Sequence, residues 1–162
     1  MRASALAGTA LLSVVLLSGC AATVALDAAP DANNPGCAEV IVRLPSAVDG
    51  KQLRQTNSQA TGAWGNPAAV LLRCGIPAPG PTTMPCVEVD GIDWLVDNAK
   101  APETVRYLTF GRTPATEVII DHTKAADSNV LPDLAEAIGS IPATKKCTNL
   151  TDTFSTAPTP AP

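Results

Sequence analysis

Histidine and aromatic side chains are almost missing from this 162-residue chain, which holds one His (His122), two Trp, two Phe and one Tyr. A single histidine excludes most zinc-hydrolase and histidine-based catalytic schemes. The nucleophile-elbow pattern GxSxG is absent, and so is any CxxC pair that would suggest a structural metal site. Charge is also scarce: 16% of residues are charged, against roughly 25% in an average globular protein. That composition excludes a highly charged, disordered tail protein. Eleven basic residues against fifteen acidic ones, a formal net charge of −4, leave no general excess of cations for a nucleic-acid partner. No cofactor is expected from these residues.

What the chain does have is one long run without charge. Between Arg2 and Asp27 no residue is ionisable except Cys20, and Leu11, Leu12, Val14, Val15, Leu16 and Leu17 form an apolar export core. The run closes on Leu17-Ser18-Gly19-Cys20, which matches the lipobox of bacterial lipoproteins. Cys20 supplies a thiol for diacylglycerol transfer, and small Ser18 and Gly19 let a signal peptidase reach the bond before it. Residues 1–19 are thus expected to be a signal peptide. Acyl chains of the palmitate type on Cys20 would hold the protein on the outer face of the cell membrane. Loss of Arg2 with the signal takes the net charge to −5.

Four cysteines remain: Cys37, Cys74, Cys86 and Cys147. An even set in an exported protein implies two disulfides, with three possible connectivities. Cys74 and Cys86 flank a Pro/Gly-rich stretch between two strand-like runs, which favours pairing them and leaves Cys37 for Cys147. Residues 20–36, without periodicity and with Pro30 and Pro35, are expected to be a flexible tether. Residues 148–162 end in STAPTPAP and are expected to be a disordered Pro/Thr tail. Residues 37–147 then form one domain.

Inside it, Ala38–Leu44 is a β-branched run, a strand expectation stopped by Pro45, and Val48–Asn57 has the polarity of a short helix or loop. Pro67–Arg73 is an apolar run entering Cys74-Gly75. Val87–Val89 and Ile92–Trp94 alternate around Asp90-Gly91, a strong hairpin signal. Val105–Phe110 and Ala115–Asp121 predict two more strands. Ser128 is placed to cap a helix over Asn129–Ile138, whose Leu131, Leu134, Ala135 and Ile138 share one face. The fold class expected is α+β, a small antiparallel sheet with one C-terminal covering helix and two disulfides.

For function, two classes are carried. Trp64, Trp94, Arg73 and Arg112 could form a ligand platform for a cell-wall component or an envelope protein, although a tryptophan more often anchors a small core. Arg106 is a third arginine able to meet a carboxylate, and Arg112 could instead pair with Glu117 across a turn. The alternative is a cell-wall hydrolase or transferase using paired carboxylates such as Asp93 and Glu117. Asp90, Asp93 and Asp97 lack the calcium-loop spacing. His122 reads as an exposed loop residue. The balance favours a non-catalytic binding or scaffolding module, with no catalytic or metal residue assigned.

The blocks WGNPAAVLLRCG, then Cys86 with VEVDGIDW, then FGRTPATEVII resemble the actinobacterial family catalogued as domain of unknown function 3515. The likeness runs from about Cys37 to Ile138. It departs from the family pattern at Ala68 or Ala69 and at the Asp121-His122 pair, each a place where the pattern has a proline. The resemblance implies an exported, membrane-associated protein, often a lipoprotein, and implies no activity or catalytic residues.

Overall fold

The computed structural model describes residues 22–148. Cys20, the signal peptide of residues 1–19 and the tail beyond Thr148 lie outside the described residues. Helix α1 (Pro35–Val42) is followed by strands β1 (Ala47–Val48), β2 (Lys51–Arg54), β3 (Thr61–Trp64) and β4 (Val70–Ile76). Then come β5 (Cys86–Val89), β6 (Ile92–Asp97), β7 (Thr104–Thr109), β8 (Ala115–Asp121) and helix α2 (Asp127–Gly139). All neighbours pair antiparallel in the order β1-β2-β3-β4-β8-β7-β6-β5. The sheet is therefore two four-strand meanders joined through β4 and β8, and α2 covers one face, as the α+β expectation required.

Both ends of the sheet turn on the same dipeptide. Asp90 and Gly91 have φ of 48° and 78° and join β5 to β6. Asp49 and Gly50, at 47° and 69°, join β1 to β2. Paired positive φ gives the tight hairpin whose twist matches the strands. Val48–Asn57 is thus a hairpin arm and not a helix or loop.

The Ala38–Leu44 strand expectation is corrected as well, because these residues lie mostly in α1. Asn34 caps it by accepting from the Gly36 N–H at 2.9 Å, and Pro35 occupies the first turn. Cys37 and Val40, three apart, point into the core, while Val42 is left exposed. Capping and inward packing outweigh the mild helix penalty of the β-branched residues. At α2, the N-cap position falls on Ala126 rather than Ser128, with no cap from its own side chain. Asp49 substitutes from the β1–β2 turn: its carboxylate accepts from Ala126 N–H at 3.2 Å and from Asn129 Nδ2 at 2.8 Å.

The helix side of the sheet holds the main core, with Trp64, Leu72, Ile92, Trp94, Ile120 and Leu134 all but fully buried. Leu131 and Ile138 of α2 face it, and Ala135 packs at its margin. A small second cluster of Leu95, Leu108 and Ala115 lies on the opposite face.

The two disulfides form with a different connectivity from the expected one: Cys37–Cys74, with Cα atoms 5.5 Å apart, and Cys86–Cys147, at 6.3 Å. Strand alternation explains the correction. Cys74 lies opposite Thr116, on the helix side, whereas Cys86 shares a row with Leu95, Leu108 and Glu117 on the other face. Three strands also separate β4 from β5.

The expected tether of residues 20–36 is fastened to the domain at several points where it is described, although most of its residues are exposed. Val24 bridges Thr56, Asp31 N–H donates to Gly75 O at 3.0 Å, and Ala29 and Ala32 are buried. Gly75, at φ 103°, makes this possible, since a Cβ there would lie 2.5 Å from the Asp31 backbone.

Candidate functional site

Cross-strand partners in an antiparallel sheet point their side chains to the same face. Two rows on the face away from the helices follow from the register. One runs Arg54, Ala63, Leu71, Ile119, Arg106, Asp97 across six strands. The next runs Thr61, Arg73, Glu117, Leu108, Leu95, Cys86. The Cys86–Cys147 bridge ties the C-terminal segment over the far end of this face, with Met84 and Phe110 at the small cluster. Around Leu71, Ile119, Arg73 and Arg106 the face remains half-exposed.

Its centre is a buried carboxylate. Glu117 has a side chain 2% exposed and is held between the guanidiniums of two arginines whose side chains are 29% and 34% exposed. Arg73 donates from Nε to Oε1 at 2.7 Å, with Nη2 2.6 Å from the same oxygen in an ion pair, and Arg106 donates from Nε to Oε2. Arg106 Nη1 also lies 3.7 Å from Asp97 Oδ2. Burying one carboxylate is tolerable because two cations and their N–H groups surround it. Glu117 in turn fixes both planar forks in place. Arg73 Nη1 and Arg106 Nη2 make no hydrogen bond among the described residues, so each arginine keeps a donor for an external oxyanion.

Arg54 extends the cationic row, donating to Gly65 O at 2.8 Å and Ala22 O at 2.5 Å. Lys100 is exposed and borders the same face beside Asp97, Arg106 and Ile119. Arg54 and Lys100 escaped sequence reasoning. Arg106 and Glu117 each sit among apolar neighbours in TVRYLT and ATEVIID, and strict alternation along those strands was the signal for a shared face.

The expected platform is not assembled. Trp64 and Trp94 are fully buried on the helix side, Trp64 Nε1 donating to Pro45 O at 3.0 Å and Trp94 meeting Tyr107 edge-on at 6.3 Å. Alternation puts them on the opposite face from Arg73, the only platform residue on the open surface. Arg112 is 6% exposed and donates to Ile141 O and, at 3.1 Å, to Gly91 O. Burial lowers its pKa against the opposing pull of Asp93. It braces the β5–β6 turn against the C-terminal segment and does not pair with Glu117.

The two carboxylates considered for catalysis are likewise committed elsewhere. Glu117 is enclosed by arginines, and Asp93 accepts the Cys147 N–H at 3.0 Å. Asp97 faces Arg106 and accepts the Ala99 N–H at 3.0 Å. Asp90 occupies the hairpin turn.

A second polar group lies on the helix side. Tyr107 donates to Asp127 Oδ2 at 2.6 Å, and exposed His122 has Nε2 4.0 Å from the same oxygen. The Tyr107 hydroxyl is pushed up by burial and then by Asp127, whose own carboxyl is lowered by that hydrogen bond. The contact fastens the first turn of α2 to β7.

A family model described as "Protein of unknown function (DUF3515)" matches residues 5–147. No curated protein and no solved structure matches the chain.

Proposed function

We propose that this chain, which belongs to the DUF3515 family, works as a lipid-anchored, non-catalytic binding module of an actinobacterial cell envelope. The lipobox ending at Cys20 supports the address. Two disulfides in a small domain fit an oxidising compartment. The binding role rests chiefly on one observation. Arg73 and Arg106 are locked by buried Glu117 on a half-exposed sheet face, with donors left for a carboxylate or phosphate. A locked guanidinium loses little freedom on meeting an oxyanion, which favours recognition over chemistry. The surface therefore suits an acidic component of the envelope, despite the chain's negative total charge.

Cell fractionation of wild type and Cys20→Ala tests the address. Wild type should stay with the membrane, and its mature N-terminal peptide should carry the lipid mass. Cys20→Ala should accumulate as uncleaved precursor or be shed. A variant processed and membrane-bound like wild type would refute lipid anchoring.

A further inference from the structure

We propose that the open sheet face docks on the anionic headgroups of the membrane that carries the protein, with Arg73 and Arg106 taking lipid phosphates. This rests on lipidation at Cys20. It follows from where the chain leaves the domain. Ala22 O is held by Arg54 Nη2 at 2.5 Å, and Val24 is fixed by Val24 N–H to Gln55 O at 2.9 Å and Asn57 N–H to Val24 O at 3.2 Å. Leu26 N–H adds a bond to Asn57 Oδ1 at 2.8 Å. Only Ala21 separates this docked chain from Cys20. At about 3.5 Å per residue, the lipidated cysteine cannot lie more than about 7 Å from Ala22. The domain is therefore held against the bilayer.

The same geometry selects the face. Arg54 heads the row that continues through Leu71 and Ile119 to Arg106, so the anchor emerges at one end of the open surface. Around Leu71 and Ile119 that surface carries Arg54, Arg73, Lys100, Arg106 and Lys124 against Asp97, Glu117 and Asp121, an excess of two cations in an acidic protein, while Asp93 and Glu88 lie on the same face toward its far end at Cys86. The helices on the opposite side carry Glu39, Asp127, Asp133 and Glu136, and the one cation adjoining them in the chain is Arg43 at the C-cap of α1. An anionic surface attracts the first face and repels the second, and both forces turn the anchored domain the same way. Half-buried Leu71 and Ile119 lie between the arginines, where headgroup and acyl boundary can meet apolar side chains. Tethering by the acyl chains makes even a weak contact persist.

Arginine footprinting on the mature lipoprotein added to preformed vesicles provides the test. Phenylglyoxal modification of Arg73 and Arg106 is followed by peptide mass spectrometry, with Arg43 at the C-cap of α1 as internal control. In phosphatidylglycerol vesicles both arginines should react several-fold more slowly than in phosphatidylcholine vesicles, with Arg43 unchanged. Lys100→Glu, which alters an exposed side chain, should reduce that protection, and 0.5 M NaCl should do the same. Equal reactivity in both lipids, with Cys20 shown to carry lipid and the protein floating with the vesicles, overturns the docking and leaves the anchor intact. An unlipidated Cys20 and a protein that does not float overturn both. Protection that arises only when peptidoglycan fragments are added assigns the face to the wall and overturns the membrane assignment.

Discussion

The Arg54 guanidinium holds the Ala22 carbonyl at 2.5 Å, and this bond joins the chain's route toward Cys20 to the row of side chains that ends in Arg106 and Asp97. A segment that reads as a spacer is thereby part of the domain. Arg54→Ala should release residues 22–26 while leaving the sheet intact. Amide exchange at Val24 and Leu26 should accelerate strongly, with a global loss of only about 1–3 kcal/mol, the usual net contribution of the two hydrogen bonds that Arg54 makes to Gly65 O and Ala22 O. Unchanged exchange at those amides would show that Arg54 does not fix the segment.

Glu117 is the keystone of the open face. Glu117→Ala leaves two guanidiniums facing each other across the place of their shared carboxylate. Removing the partner from a buried ion pair costs about 3–5 kcal/mol, and the partial exposure of both arginines puts the expected loss at the lower end, roughly 3 kcal/mol. Urea unfolding measures it. A loss below about 1 kcal/mol would mean that solvent already supports the arginines.

Non-reducing peptide mapping should return Cys37 linked to Cys74 and Cys86 linked to Cys147. Replacing either pair with alanine should cost about 2–4 kcal/mol, and the chain-entropy model assigns slightly more to the longer loop. That loop is Cys86–Cys147, with a sequence separation of 61 against 37. Recovery of a Cys74–Cys86 peptide would contradict the fold.

The pairing shows where sequence reasoning stops. Cys74 and Cys86 are near in the chain, yet strand order and alternation put them on different strands and faces, and neither property is local. Asp90-Gly91 was legible because alternating apolar residues flank it. Asp49-Gly50 makes the same turn, but its flanks, Ala47-Val48 and Lys51-Gln52, show no such alternation. The α1 segment reads as extended because Val40, Ile41 and Val42 favour strands, while Asn34 and Pro35 read locally as spacer residues. Scarce tryptophans in a small domain favour the core, where both are buried, and the cation row needs the register that only the folded sheet supplies.

Acid should loosen α2 first. The Asp49 carboxyl is lowered from its ordinary value by Lys51, with Asn129 next, and Asp127 is lowered by Tyr107. A depressed folded pKa gives stability that is fully present above the unfolded value, near 4, and is lost as pH falls through the folded value. Thermal melts should therefore hold steady from pH 7 to about 5 and decline below about 4. Asp49→Asn should flatten that decline. At the other end, the raised Tyr107 pKa predicts stability lost as pH climbs above about 10, where the unfolded phenol ionises first. Tyr107→Phe should remove that alkaline component.

Neutron reflectivity of the mature lipoprotein on a supported phosphatidylglycerol bilayer measures the stand-off between domain and membrane. With residues 22–26 docked and the arginine face turned inward, protein density should begin at the headgroups, with no hydrated layer between them. A free tether of residues 20–36 would behave as a flexible coil spanning on the order of 20 Å. A water-rich gap of that thickness would contradict the account.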